Sequence, residues 1–339
     1  MASLSLTQTC HQIYQAVNSG LSIAVVVPCY QVERTITEVV SQIPDYVKHI
    51  ILVDDASPGN TPKILDKLCY GRIEVVHLPS NLGVGGATIA GYERALALGA
   101  DVIVKLDGDG QMDPTRMGAL IDPILNGKAD YTKGNRFLHS RQLRSMPVVR
   151  RIGNIGLSFL VKLASGYWNI FDPSNGYTAI NGTVFTLLER PRIHHRYFFE
   201  TSMLIELGLQ KAVVRDVSMP AFYGDEKSQL SEMKSLFDFP PKLFLASLRR
   251  ILIQYFIRDF SAVSLFLLSG FLLSILGLAW GLYHWIESSR LHMIASTGTV
   301  MIAVLPVILG VQLLLQSIVI DIQNVPDEVI DDLSHRSLE

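Results

Sequence analysis

Carboxylates separated by glycines, and a few well-spaced arginines, are the residues of this chain best suited to chemistry. Asp107-Gly108-Asp109-Gly110-Gln111 closes an apolar run over residues 102–106, and Pro114 then suits the first turn of a helix. Asp-x-Asp is a compact way to hold one hard cation through oxygen, and Gly108 and Gly110 let a phosphate approach the backbone. The motif therefore reads as a divalent metal held against a nucleotide diphosphate. Taken alone, the same residues read equally well as a solvated acidic turn. A second acidic segment, Asp54-Asp55-Ala56-Ser57-Pro58-Gly59-Asn60, ends another apolar run. Asp54 or Asp55 can accept hydrogen bonds from a base or a ribose. The plainer alternative is a turn in which Asn60 or Thr61 caps a helix over 62–68.

These groups need a scaffold that brings strand ends together. Residues 21–27, 49–53, 73–77 and 102–106 are short, apolar and rich in Val and Ile, and helical stretches separate them. That alternation predicts an α/β fold with a doubly wound, mostly parallel sheet. In such a sheet the tips of the first, second and fourth strands face one crevice, where ligands bind. Further strands are expected at 131–136 and 212–217, with a turn at Phe171-Asp172-Pro173-Ser174-Asn175-Gly176-Tyr177. Residues 148–167 and 242–258 are basic and amphipathic, as helices lying in a membrane interface are.

The chain has 339 residues and a net charge of −2, so no general basic field points to nucleic acid. Three cysteines without a C-x-x-C spacing argue against a disulfide framework or a zinc site and fit a reducing compartment. No Asp, Glu, Lys or Arg occurs in 260–286 or 293–320. Each run exceeds the roughly 20 residues that cross a bilayer. The expected organisation is an arm at 1–20, a catalytic domain at 21–239 and a juxtamembrane helix at 240–259 after Pro240-Pro241. Two transmembrane helices within 260–320 and a tail at 321–339 follow. Arg249, Arg250 and Arg258 flank the first span, against Arg290 in the hairpin loop, which places the large domain and both termini in the cytoplasm of a cell with an inner (plasma) membrane anchor. Paired interfacial helices also make a homo-oligomer an expectation.

Rival readings of the acidic and glycine-rich segments fail on spacing. A calcium EF-hand starting at Asp107 would have Gly and Glu where Met112 and Gly118 stand. A dinucleotide fingerprint starting at Gly83 would have Gly or Ala at Thr88, and it follows the third strand instead of the first. A Walker A Lys-Ser/Thr is absent.

Val27-Pro28-Cys29-Tyr30 with Glu33, Val53-Asp54-Asp55-Ala56-Ser57, Asp107-Gly108-Asp109-Gly110-Gln111, Lys133-Gly134-Asn135-Arg136 and residues 172–177 together resemble family 2 glycosyltransferases of the GT-A fold. The resemblance is strongest to the polyprenyl-phosphate group, which includes dolichyl-phosphate mannose synthases and bacterial undecaprenyl-phosphate sugar transferases. It implies a membrane-anchored inverting enzyme that uses Mg²⁺ or Mn²⁺ and moves a sugar from a UDP- or GDP-linked donor to a polyprenyl phosphate. It further implies that Asp107, Asp109 and Gln111 serve the metal, with Pro28, Tyr30, Glu33, Asp54 and Asp55 on the nucleotide sugar. Arg136, Arg150, Arg151 and Lys227 would meet the acceptor phosphate, and Asp172 and Glu200 would lie with Asp109 near the transfer centre. The family's Asp-Ala-Asp-Leu-Gln is Asp-Gly-Asp-Gly-Gln here, and its late Gly-x-Ser-Lys loop is only approximated around Lys227. The alternatives are a polysaccharide-extending transferase and a nucleotide-binding membrane scaffold without turnover.

Overall fold

A computed structural model describes residues 6–135, 148–219 and 232–334. The chain forms two compact units, Met1–Ser247 with Pro326–Glu339, and Leu248–Val325.

The first unit is built on a seven-stranded sheet: β1 (Ile23–Cys29), β2 (His49–Asp54), β3 (Ile73–His77), β4 (Val102–Lys105), β5 (Tyr131–Asn135), β6 (Thr178–Asn181) and β7 (Val214–Ser218). β1 is buried along its whole length, which is why it reads as continuous apolar sequence and not as alternation. The strand order is β3-β2-β1-β4-β6-β5-β7. The chain runs outward from β1 to β3 and then returns to β4 on the other side of β1, so the switch point lies between β1 and β4. β6 is antiparallel to both β4 and β5, a reversal that its four residues gave no sign of. It brings the loop before β6 to the same sheet edge at which β4 ends.

α2 (Ile36–Ser41), α3 (Thr61–Leu68), α4 (Val84–Ala97), α5 (Met117–Leu125), α6 (Val148–Ser165), α7 (Gly182–Thr186) and α8 (Phe199–Leu209) complete the unit, together with α1 (Leu6–Asn18) before β1. Residues 1–20, expected as a loose arm or a short helix, contain α1, whose Ile13 and Ala16 join the main core. The C-terminal segment, expected as a tail, docks as well. Leu333 is fully buried in that core, and the backbone N–H groups of Ile330 and Asp331 donate to the Asp130 carboxylate. The Asn181 amide donates to the Asp331 carbonyl. Asp130 precedes β5 and Asn181 ends β6, so this strap occupies the sheet edge opposite the switch point.

Pro240-Pro241, expected as a domain boundary, lies inside α9 (Glu232–Leu252). Phe239, Leu243 and Ala246 pack with Val161, Ala164, Phe198 and Ile205, and this apolar contact holds the helix across two missing N–H groups.

In the second unit, α10 (Ala262–Leu291) and α11 (Thr297–Gln323) form a hairpin, and both are long and apolar enough to cross a membrane. Against the expected 260–286 and 293–320, both helices start a few residues later and end a few residues later. Small residues line the contact: a Cβ on Gly270 would lie 2.9 Å from the Gly310 carbonyl, and one on Gly277 2.7 Å from the Ala303 carbonyl. Outward positions carry large apolar side chains such as Phe271, Leu272, Leu278 and Ile308. At the base of the hairpin, Arg250 pairs bidentately with Asp321, both bonds at 2.9 Å, and the Tyr255 hydroxyl donates to the same carboxylate. Arg250 therefore belongs to a closed ion pair within this unit.

Candidate active site at the switch point

β4 is apolar except for Lys105, which is fully buried and opens the site's charge network. Its ammonium donates to Asp107 Oδ1 at 2.6 Å, to the Gly176 carbonyl at 3.2 Å and to Glu200 Oε1 at 3.5 Å. Lys133 of β5, equally buried, donates to the Asn175 carbonyl. Both lysines stand in register with Thr178, one on each side of β6. Two ammonium groups thus hold successive carbonyls of the loop that enters β6. Burial opposes the charge on Lys105, but the Asp107 and Glu200 carboxylates outweigh it and hold its pKa above the usual lysine value. For Lys133 burial wins over Glu200 and Asp172, and its pKa falls to about 8.

Gly176 permits this arrangement. A Cβ there would stand 2.7 Å from both Asp107 Oδ2 and Lys105 Nζ, so a side chain would have to displace the network. Asp172, at the start of the loop, is buried and accepts a hydrogen bond from the Ser174 hydroxyl. Glu200 lies in the first turn of α8 and is joined to Asp107 through Lys105.

Asp107 and Asp109 are partly exposed and Gln111 is exposed. The Asp109 carboxylate accepts from the Gln111 backbone N–H at 2.9 Å, in a turn where Gly110 takes φ +77°. Gly108, expected to admit a phosphate, instead packs beneath Val27, Val32 and Ile36, and its carbonyl accepts from the Thr35 hydroxyl at 2.6 Å. Among the described residues no group of three or more His, Cys, Asp or Glu side chains is placed to hold a metal. Two neighbouring carboxylates still suit Mg²⁺ or a similar ion. Such ions commonly take one or two carboxylates and complete their shell with phosphate oxygen and water.

The other strand tips close around the same edge. Pro28 lies within buried β1, and Tyr30 beyond it is exposed. Both acidic residues after β2 are buried and already engaged. Asp54 accepts from the Ser57 N–H and meets His77 at 3.0 Å, while Asp55 accepts from the N–H groups of Leu82 and Gly83. His77 also meets Asp66 at 2.9 Å, and its bonds to the two carboxylates raise its pKa. Glu33 faces the start of α3: its own N–H, then Thr61 and the Asn60 backbone, hold its carboxyl below the usual range. The helix begins at Thr61, one residue earlier than expected, and of the two expected caps Asn60 stands at the N-cap position but its side chain makes no cap bond. Gln31 and Ala56, one at each tip, adopt left-handed backbone at φ 57° and 50°. Such conformations are uncommon for residues with a Cβ and often mark functional sites.

Arg136 and Lys227 lie outside the described residues, as do the side chains of Arg150 and Arg151 in the first turn of α6. Motif reading missed Lys105 as a site residue and quoted Lys133 within its motif without giving it a role. The available signal was a lysine inside each of two short, otherwise uncharged strands.

The glycine-rich start of α4 is also accounted for. Its Gly85 and Gly86 N–H groups donate to the His195 carbonyl, and a Cβ on Gly85 would lie 2.4 Å from the His194 carbonyl. These glycines admit a protein segment.

The family described as Glycosyl transferase family 2 matches residues 24–187. The chain is 31% identical over 216 residues to the UDP-N-acetylglucosamine–dolichyl-phosphate N-acetylglucosaminyltransferase of Methanococcus voltae, covering 59% of this chain and 86% of that relative. It is 28% identical to the polyprenol monophosphomannose synthase of Mycolicibacterium smegmatis, over 53% of this chain and 69% of the other. The fold is similar to that of glucosyl-3-phosphoglycerate synthase from Mycobacterium tuberculosis, crystallised with Mn²⁺, UDP-glucose and phosphoglyceric acid. That match has a TM-score of 0.53 at 19% identity and covers 74% and 85% of the two chains. With this sheet, these carboxylates at its switch point and a relative matched along most of its length, the chain belongs to glycosyl transferase family 2.

Proposed function

We propose that this glycosyltransferase moves a sugar, with inversion, from a UDP- or GDP-linked donor to a polyprenyl phosphate. The observation that carries the reading is the union, in one chain, of a family 2 catalytic unit and a hairpin of two apolar helices with large outward-facing side chains. A polyprenyl tail resides in the bilayer, so its phosphate is presented at the headgroup plane. The names of the Methanococcus and Mycolicibacterium relatives, which specify dolichyl phosphate and polyprenol, support the same acceptor class.

In this proposal Asp107 and Asp109 hold Mg²⁺ or Mn²⁺ beside the donor diphosphate, with Gln111 at the rim. A cation there neutralises charge that develops on the leaving diphosphate. Pro28, Tyr30 and the β2 tip border the nucleoside, while Glu33, Asp54 and Asp55 keep the two tips in shape. The acceptor phosphate is ionised at neutral pH, so no side chain has to remove a proton from it. Glu200 accordingly serves through Lys105, and Asp172 through the loop that the two lysines hold. Arg136, Arg150, Arg151 and Lys227 supply the cationic half of the site, where a second anion must approach the first. The catalytic unit and both termini lie on the cytoplasmic side of the plasma membrane.

The test is transfer from radiolabelled nucleotide sugars to undecaprenyl or dolichyl phosphate with Mg²⁺ or Mn²⁺. A chloroform-soluble labelled product is expected with at least one donor. Its absence with every UDP- and GDP-sugar tried refutes the reading.

A further inference from the structure

We infer that Lys105 is a positioning residue that makes metal binding conditional on the nucleotide diphosphate; this rests on the metal role proposed above for Asp107 and Asp109. The Lys105 ammonium takes Asp107 Oδ1 at 2.6 Å. One of the two proposed metal-binding carboxylates is thereby half-occupied and half-neutralised before any ligand arrives. Glu200, at 3.5 Å from the same ammonium, shares its charge. The Gly176 carbonyl, at 3.2 Å, fixes the ammonium from the loop. Lys105 is fully buried and its ammonium is held between Asp107, the Gly176 carbonyl and Glu200, which restrains it from swinging away.

A bare divalent cation approaching Asp107 and Asp109 therefore meets a fixed positive charge behind its ligands. A cation that arrives with a diphosphate brings its own anionic oxygens, and the same ammonium then favours the combined ligand. The pair Lys105–Glu200 sets the balance: the lysine suppresses bare-metal binding, and the glutamate moderates the lysine. Asp107 is also restrained from turning both oxygens to the metal, which leaves coordination positions for phosphate.

The two members of the pair make predictions of opposite sign. Mn²⁺ binding to the full chain in nanodiscs is followed by electron paramagnetic resonance of free Mn²⁺, with and without UDP or GDP. Wild type should bind Mn²⁺ weakly alone and about tenfold or more tighter with one of the nucleotides. Lys105→Gln should bind bare Mn²⁺ about tenfold tighter, as loss of a buried cation beside a ligand requires, and the gain from nucleotide should shrink. Glu200→Gln should bind bare Mn²⁺ several-fold more weakly, on the order of threefold to tenfold. A purely structural role would weaken binding in both variants, so weaker or unchanged bare Mn²⁺ affinity in Lys105→Gln overturns the inference. If Lys105→Gln does not fold, Glu200→Gln decides through the nucleotide: its loss of Mn²⁺ affinity should be larger without UDP or GDP than with it, and an equal loss in both, or none, overturns the inference. If wild type binds no Mn²⁺ with either nucleotide, the metal role itself falls and the inference falls with it. If wild type binds Mn²⁺ with nucleotide and the variants fail their signs, only the inference falls.

Discussion

Two of the places where the described residues bury charge are built differently. At the hairpin base, Arg250 and Asp321 meet through two parallel bonds of 2.9 Å, with Tyr255 on the same carboxylate. One cation faces one anion in bidentate geometry, and the pair is closed. At the switch point, Lys105 is divided between Asp107, Glu200 and a carbonyl, and Lys133 is spent on another carbonyl. There Asp107, although it meets Lys105, and Asp109 both stay partly exposed. A closed pair specifies one packing arrangement. An open network of the same residue types is a place where a further ligand completes the charge.

The two clusters should respond to mutation in different observables. Arg250→Ala leaves Asp321 buried without its cation, and breaking such a pair costs about 3–5 kcal/mol. Thermal unfolding of the full chain in nanodiscs should show a lowered midpoint, while Arg250→Met with Asp321→Leu should recover most of it. If Arg250→Ala left unfolding unchanged and abolished transfer, the hairpin base would be the functional cluster and the comparison would reverse. Asp109→Asn should do the opposite, lowering transfer by about 100-fold through loss of a metal-binding carboxylate. Its unfolding midpoint and membrane insertion should match wild type. Gly176→Ala lies between these extremes, since its Cβ must displace Asp107 and Lys105 together. A small misplacement at a reacting site has a large kinetic effect. Transfer is expected to fall by about tenfold with a modest loss of midpoint.

The same contrast explains what could be read in advance. Strands buried on both faces announce themselves as apolar runs, as β1 does, while β3, a half-buried edge strand, also forms over the expected residues 73–77. The acidic tips were legible because Asp and Gly interrupt those runs where a parallel sheet gathers its ends. Direction is not written into four residues, so the antiparallel course of β6 emerged only from its neighbours. Arg250 and Asp321 are 71 positions apart, and nothing local distinguishes a paired arginine from a membrane-flanking one. The engagement of Asp54, Asp55 and Glu33 in capping and turn bonds depends on contacts between separate strand tips. Local periodicity does not encode such contacts. Pro240-Pro241 looked like a boundary because proline breaks helices in general, whereas here the apolar contact of Leu243 and its neighbours prevailed.

Lys133 gives the smallest effect and the sharpest distinction between the clusters. Burial lowers its pKa to about 8, while an unfolded lysine titrates near about 10.4. Between these values the unfolded chain binds more protons at this position than the folded one, so stability rises with pH across that window. The cost of keeping a buried ammonium charged is fully present below about pH 8 and is relieved as the pH rises towards about 10.4. Across pH 7 to 9 the gain from this one group should be about 1 kcal/mol. Lys133→Met has no proton to lose, so its stability should lack this rise relative to wild type. Denaturant unfolding of both proteins at pH 7 and pH 9 measures the difference directly. Equal slopes would mean that Lys133 remains as freely charged as an exposed lysine. The second ammonium of the open network would then be as fully compensated as Arg250 is in the closed pair.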